Sequence, residues 1–222
     1  MSAVENAAES TAGHPEPPKG PARFYNRELS WLQFNRRVLE EALNSRHPLL
    51  ERLRFLSTSA SNLDEFYMVR AAGLYGQVAA GVATLSADGL TPSEQLEKIN
   101  VFVAELVAEK QRCWTALKAE LAEASIYLVE PQDLRPLERE WLDNEFMTRL
   151  FPILTPLNVD PAHPFPFIQN RALTLVVKMQ HPEGKLMKGL IPIPSQLDRF
   201  IRLPSDSDDP KAIRFIRMES VI

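Results

Sequence analysis

The stretch TPSEQLEKINVFVAELVAEKQRCWTALKAELAE, residues 91–123, decides the fold of the first half of this chain. Thr91, Pro92 and Glu94 are typical of a helix start, with a capping hydroxyl, a proline at the first helical position and a glutamate two residues later. An apolar stripe with one lapse, at Lys110, follows: Leu96, Ile99, Val103, Leu106, Cys113, Leu117 and Leu121. The pattern predicts one amphipathic helix of about 30 residues, about 45 Å long.

Three shorter helices are predicted before the long one. The first is capped by Ser30 and the second begins at Pro48, while Ser61 and Asp64 resemble a capping box that starts the third. The stripe of the first helix consists of apolar residues at steps of three and four: Trp31, Phe34, Val38 and Ala42, with Leu32, Leu39 and Leu43 beside them. Residues 23–125 are therefore predicted to form an all-helical bundle.

Proline separates this bundle from the rest of the chain. Two of the 18 prolines lie in residues 23–130 and twelve lie in 131–222, where they are incompatible with long helices and central strands. A strand in SIYLVEP, a helix around Leu142, a hairpin turning at Gly184 and two further short strands predict an antiparallel sheet with a packed helix. The fold class is thus α+β, with the bundle first and the sheet unit at 126–222.

Both ends of the chain differ from these two units. Residues 1–22 are rich in Ala, Glu, Ser, Gly and Pro and hold almost no bulky apolar side chain, which predicts a disordered tail. The sheet unit stops at Val221 and Ile222 without a closing element, so we expect that it is truncated at its C-terminus.

Composition excludes several classes of function. The formal net charge of −4 argues against a general nucleic-acid-binding surface. The single cysteine, Cys113, cannot form an internal disulfide, and four scattered histidines provide no zinc site of the usual spacing. No apolar run approaches the roughly 20 residues that cross a bilayer, and no signal sequence is visible, so a cytoplasmic protein is expected.

Candidate chemistry is sparse. No glycine-rich phosphate loop, nucleophile elbow or metal-binding sequence is found. His163, between prolines, is more typical of a structural histidine than of a catalytic one. Asn62 is the best candidate, because near a predicted helix start its amide would favour an anion such as a nucleotide phosphate; an ordinary capping role is the alternative.

Charge is also distributed unevenly within the bundle. Residues 23–81 hold eight arginines against six carboxylates, and arginine is the side chain that matches phosphate oxygens best. These arginines either face a phosphate ligand or form solvated ion pairs with Glu28, Glu40, Glu41 and Glu51.

Three long strings of this sequence resemble bacterial polyphosphate kinases of the histidine-phosphorylating type. They are NRELSWLQFNRRVLEEA at 26–42, PLLERLRFLSTSASNLDEFYMVR at 48–70 and ILTPLNVDPAHPFPF at 153–167. The resemblance covers nearly all of 24–222 in the family's order, and it implies a helical N-terminal domain followed by the first part of a head (middle) domain.

The resemblance implies a kinase that moves the terminal phosphate of ATP reversibly onto polyphosphate through a phosphohistidine, with Mg2+. Asn62, in the segment SNLDEF at 61–66, matches the asparagine that contacts the nucleotide. The phosphoacceptor belongs to C-terminal domains, and His163 does not correspond to it. No catalytic or metal-binding residue is therefore carried over onto this chain, which alone is expected to be inactive.

The resemblance further implies a homo-oligomer, with ATP, ADP and polyphosphate as its ligands. The long helix from Thr91 is either part of the contact between subunits or a solvated strut. The alternative function is a stand-alone, non-catalytic oligomerisation or interaction module.

Overall fold

The computed structural model describes residues 19–159, 165–180, 184, 186–205 and 210–222. Five α-helices lie in this part of the chain: α1 (Arg27–Leu43), α2 (Leu49–Phe66), α3 (Ala72–Ala79), α4 (Pro92–Glu123) and α5 (Pro136–Glu145). Six strands lie there as well: β1 (Ile126–Val129), β2 (Leu157–Val159), β3 (Thr174–Gln180), β4 (Leu186–Pro192), β5 (Phe200–Arg202) and β6 (Ile213–Arg217). The α+β fold class is confirmed.

The prediction for α4 is confirmed in detail. The helix has 32 residues, and Thr91 and Glu94 form the reciprocal capping box. Every apolar residue of the predicted stripe is buried. Two apolar clusters lie along this stripe, one centred on Phe66 and Ile99 and the other on Leu39 and Leu106. The long helix is therefore the element against which the others pack.

The predicted start of the first helix is wrong. Asn26, not Ser30, caps α1, because its Oδ1 accepts hydrogen bonds from the backbone N–H groups of Glu28 and Leu29. The Asn26 amide also donates to Gln95 and Asp88, which joins the start of α1 to the start of α4. The buried face is rotated by one residue from the predicted stripe and holds Leu32, Asn35, Leu39 and Ala42.

The predicted third helix is also wrong. Ser61 lies inside α2, which continues without a break from Leu49 to Phe66 and passes through a π-helical turn (Tyr67–Ala71) into α3. No glycine or proline lies between residues 49 and 66, so nothing in the backbone ends the helix at the serine.

The sheet unit contains two small sheets rather than one. The predicted hairpin is confirmed as β3 and β4, and β2 pairs antiparallel with β4 on its other side. The second sheet has the order β1-β6-β5, with β1 parallel to β6 and β5 antiparallel to it. Helix α5 packs on this mixed sheet through Leu142, in a cluster with Val129, Leu203 and Ile216.

Candidate functional site

Asn62 lies in the next-to-last turn of α2, four residues before its end at Phe66. It is therefore far from the N-terminus of that helix, and the argument that the helix dipole favours an anion at Asn62 is wrong. The alternative role as a capping residue is wrong for the same reason. Asn62 is only partly buried, so a ligand can reach it from solvent.

The Asn62 amide is held by a second asparagine. Its Nδ2 donates to Oδ1 of Asn35, on α1, over 3.2 Å. Asn35 is fully buried, and its own Nδ2 donates to the backbone carbonyl of Ser59 over 3.0 Å. Ser59 returns a bond from its hydroxyl to the backbone carbonyl of Asn35. The two asparagines therefore form a chain of hydrogen bonds from the interior of the bundle to its surface.

Lys110 reaches the same place from α4. Its Nζ donates to the Ser59 carbonyl over 2.9 Å, so this oxygen accepts from both α1 and α4. Burial lowers the pKa of the Lys110 ammonium from its ordinary value of 10.5 to about 8, and the negative charge of Asp64 opposes part of this shift. The lapse in the predicted apolar stripe is thus a lysine that crosses towards α2.

The stability of the chain is expected to rise with pH between about 8 and 10.5, the range between the lowered pKa of Lys110 and its ordinary value. In this range the unfolded chain binds the proton that folded Lys110 has released, so raising the pH favours the folded state. We expect a rise of about 1–2 kcal/mol, allowing for partial exposure, and its loss in Lys110→Met. Denaturant unfolding at several pH values measures this difference.

Lys118 provides the control, because it lies exposed on the same helix. Lys118→Met is expected to unfold with the same pH dependence as the original chain. Equal pH dependence in the original chain and in Lys110→Met would contradict the interpretation of Lys110 as a desolvated ammonium.

Three of the eight arginines in residues 23–81 form ion pairs that join one helical segment to another. Arg36 binds Glu105 and Glu109 of α4 and lies over the ring of Phe102. Arg52 binds Glu120 with both terminal nitrogens. The predicted partner Glu28 is confirmed for Arg70, and Glu51 lies 3.7 Å from Arg54. Ion pairs with α4, which the sequence did not predict, therefore account for much of the basic bias.

An open cleft of about 590 Å3 lies beside this part of α2. Asp64, Tyr67 and Met68 line one side, and Arg171 and Arg199 line the other. The Nε of Arg171 lies 3.6 Å from Oδ2 of Asp64, and both side chains are more than half exposed. The cleft has room and charge for a polar ligand, and Leu63 and Asp64 line it, whereas Asn62 does not.

No group of three or more His, Cys, Asp or Glu side chains is placed to hold a metal ion within the described ranges. None of the helices there combines the length and apolar character needed to cross a lipid bilayer. His163, which the sequence favours as a structural residue, lies outside the described residues.

Sequence reasoning missed Asn35 and Lys110. A signal for each was present, since Asn35 lies three residues after Leu32 and four before Leu39 on one helix face, and Lys110 interrupts the stripe of α4. A polar residue inside an apolar stripe needs a buried partner, and the sequence did not say which one.

Two family models match the chain in succession. The model of the polyphosphate kinase N-terminal domain matches residues 24–129, and that of the polyphosphate kinase middle domain matches residues 137–222. Together they cover most of the chain.

Curated proteins and a solved structure show the same similarity. The chain is 47% identical over 194 residues to a polyphosphate kinase of Synechocystis sp., covering 86% of the chain and 27% of that protein. It is 45% identical over 208 residues to a polyphosphate kinase of Erythrobacter litoralis, covering 93% of this chain and 28% of that protein. The crystal structure of polyphosphate kinase from Porphyromonas gingivalis is similar with a TM-score of 0.75 at 28% identity, covering 90% of this chain and 29% of that one. The chain therefore spans less than a third of the length of these relatives.

Proposed function

Because this chain belongs to the polyphosphate kinase family, we propose that it is the nucleotide-contacting part of an enzyme that reversibly transfers the terminal phosphate of ATP to polyphosphate. The transfer passes through a phosphohistidine that lies outside these 222 residues. The observation that carries the proposal is the match of the N-terminal and middle domain models, in that order, to residues 24–129 and 137–222.

Asn62 is the residue that we assign to the nucleotide. One N–H of its amide binds Asn35, and no other hydrogen bond of this amide is found among the described residues. The second N–H and Oδ1 are therefore available to a ligand. A neutral amide can donate to a phosphate oxygen or a base nitrogen without adding charge, which suits contact with ATP and ADP alike.

Mg2+ accompanies the nucleotide in the proposed reaction. The described residues contain no cluster of carboxylates that fits such an ion. We assign no metal ligand within the described part of the chain.

Asn62→Ala, made in the complete gene product that carries this sequence, is expected to raise the KM for ATP about fivefold. Loss of one hydrogen bond to a ligand typically has this size. Steady-state kinetics with varied ATP measures the effect, and circular dichroism checks that the helices remain.

The control is Asn144→Ala, which removes the same side chain from an exposed position on α5. It is expected to leave the KM for ATP unchanged. An unchanged KM in Asn62→Ala would remove Asn62 from the nucleotide site, whereas failure of the gene product to form acid-insoluble polymer from γ-labelled ATP would contradict the proposed activity itself.

A second candidate function is self-association, alone or as part of the kinase. Large apolar side chains are exposed in the segment that follows α2: Val69, Tyr75, Val78, Val82 and Leu85. In α4, by contrast, the exposed residues are mostly polar. We therefore place a contact with a second copy at this segment rather than along the long helix. Sedimentation equilibrium at several protein concentrations tests this self-association. A monomer at every concentration would count against it.

A further inference from the structure

Asn35 is a fully buried amide in the middle of the apolar face of α1. Burying an amide is unfavourable unless its hydrogen bonds are replaced, and a leucine at this position would fill the space without that requirement. The neighbours on the same face, Leu32 and Leu39, are both apolar. The presence of an asparagine here therefore needs a reason beyond packing.

The hydrogen bonds of Asn35 fix which way its amide faces. The Ser59 carbonyl can only accept, so the Asn35 nitrogen must face it, at 3.0 Å. The Asn35 oxygen then faces Asn62, which must present its nitrogen in turn. The orientation of a buried backbone carbonyl thus determines the orientation of a side chain at the surface.

We propose that Asn35 is a positioning residue for Asn62. It holds one N–H of the Asn62 amide and leaves the other N–H and Oδ1 directed at the nucleotide. The inference rests on the proposed function, because it assumes that Asn62 binds ATP. Lys110 supports the arrangement by donating to the same Ser59 carbonyl from α4, over 2.9 Å.

A purely structural role would have a different consequence. The bonds from Asn35 to α2 also hold two helices together, so removing them is expected to weaken the bundle whether or not Asn62 binds a ligand. Stability alone therefore does not distinguish the two roles. The distinguishing quantity is the KM for ATP relative to kcat, measured in variants that lose similar stability.

The experiment compares four variants in the complete gene product. Asn35→Ala removes the acceptor for Asn62, and we expect the KM for ATP to rise about fivefold with a smaller change in kcat. Asn35→Asp in its neutral form can donate its hydroxyl to the Ser59 carbonyl and keep its other oxygen facing Asn62, and we expect a KM within about twofold of the original. Asn26→Ala removes another buried asparagine that joins helices, at a site without contact to Asn62, and is expected to leave this KM unchanged.

The fourth variant combines Asn35→Ala with Asn62→Ala. If Asn35 acts through Asn62, the double variant has the same KM for ATP as Asn62→Ala alone. A further rise in the double variant would overturn the inference. If Asn35→Ala fails to fold, Asn35→Leu takes its place in both comparisons, because it also removes the acceptor for Asn62 and fills the buried space.

The outcomes separate the inference from the proposed function. A raised KM in Asn62→Ala together with an unchanged KM in Asn35→Ala overturns the positioning role and leaves the nucleotide site in place. An unchanged KM in Asn62→Ala overturns the assignment of Asn62 to the nucleotide and, with it, the positioning role of Asn35, whereas the proposed activity is tested separately by polymer formation. A raised KM in Asn35→Ala that Asn35→Asp restores supports the positioning role.

Discussion

Replacing Phe66 by alanine is expected to destabilise the helical bundle by about 3–5 kcal/mol. The Phe66 side chain is 1% exposed and stacks on Trp31 with ring centroids 5.1 Å apart. The rings of Phe66 and Tyr67 also meet in a T-shaped contact. Truncation would leave a cavity where α1, α2 and α4 meet, because the backbone of three packed helices cannot collapse to fill it.

Equilibrium unfolding in urea, followed by circular dichroism, measures this loss. Phe34 provides the control, because it lies on α1 with 47% of its surface exposed. Phe34→Ala is expected to cost less than about 1 kcal/mol. Similar losses in the two variants would show that Phe66 does not lie in the principal core of the bundle.

The part of the fold that the sequence predicts well is the part that local patterns determine. The boundaries of α4 follow from Thr91, Pro92 and Glu94 and from a stripe that repeats over its whole length. The hairpin of β3 and β4 follows from two apolar segments around a glycine. In both cases the residues that specify the element lie within it.

Helix starts in the bundle were less predictable, because serine serves several roles. Ser30 and Ser61 are exposed inside α1 and α2, where a hydroxyl has little effect on a helix that is packed on its other side. The residue that does cap α1, Asn26, is specified partly by Gln95, about 70 residues later. A cap that depends on a distant partner leaves only a weak local signal.

Strand pairing was harder still to predict. β1 pairs in parallel with β6, which lies more than 80 residues later in the chain. Each strand is too short for its alternation of apolar and polar side chains to specify its partner. The sequence predicted β1, β3, β4, β5 and β6 but not β2, and it did not predict the division of the strands into two sheets.

For the candidate site, too, the sequence indicates a residue but not the groups that surround it. Asn62 was chosen because it matches the family sequence, and its predicted place at a helix start is wrong. Asn35, which accepts from the Asn62 amide, lies 27 residues away, and the Ser59 carbonyl that orients Asn35 lies three residues away. The identity of the candidate residue came from its sequence, and its environment came from the packing of α1 on α2.

A second large effect is expected in the sheet unit, where Glu138→Ala should cost about 3–5 kcal/mol. Glu138 is 4% exposed, and its carboxylate accepts from Nε and Nη2 of Arg214 over 2.7 and 3.2 Å. It also accepts from the backbone N–H of Arg135 at the start of α5. Its removal leaves a largely buried guanidinium without its carboxylate and removes the ion pair that joins α5 to β6. Thermal unfolding followed by the near-ultraviolet signal of Trp141, which packs in this cluster, reports on the region.

Two further variants test whether the loss arises from the unpaired charge. Glu51→Ala removes a carboxylate from an exposed pair with Arg54 and is expected to cost less than about 1 kcal/mol. Glu138→Met combined with Arg214→Met replaces both charges by apolar side chains, and it should cost less than Glu138→Ala alone, since no buried charge is left unpaired. A double variant as unstable as Glu138→Ala would instead assign the loss to the bond with Arg135 at the start of α5.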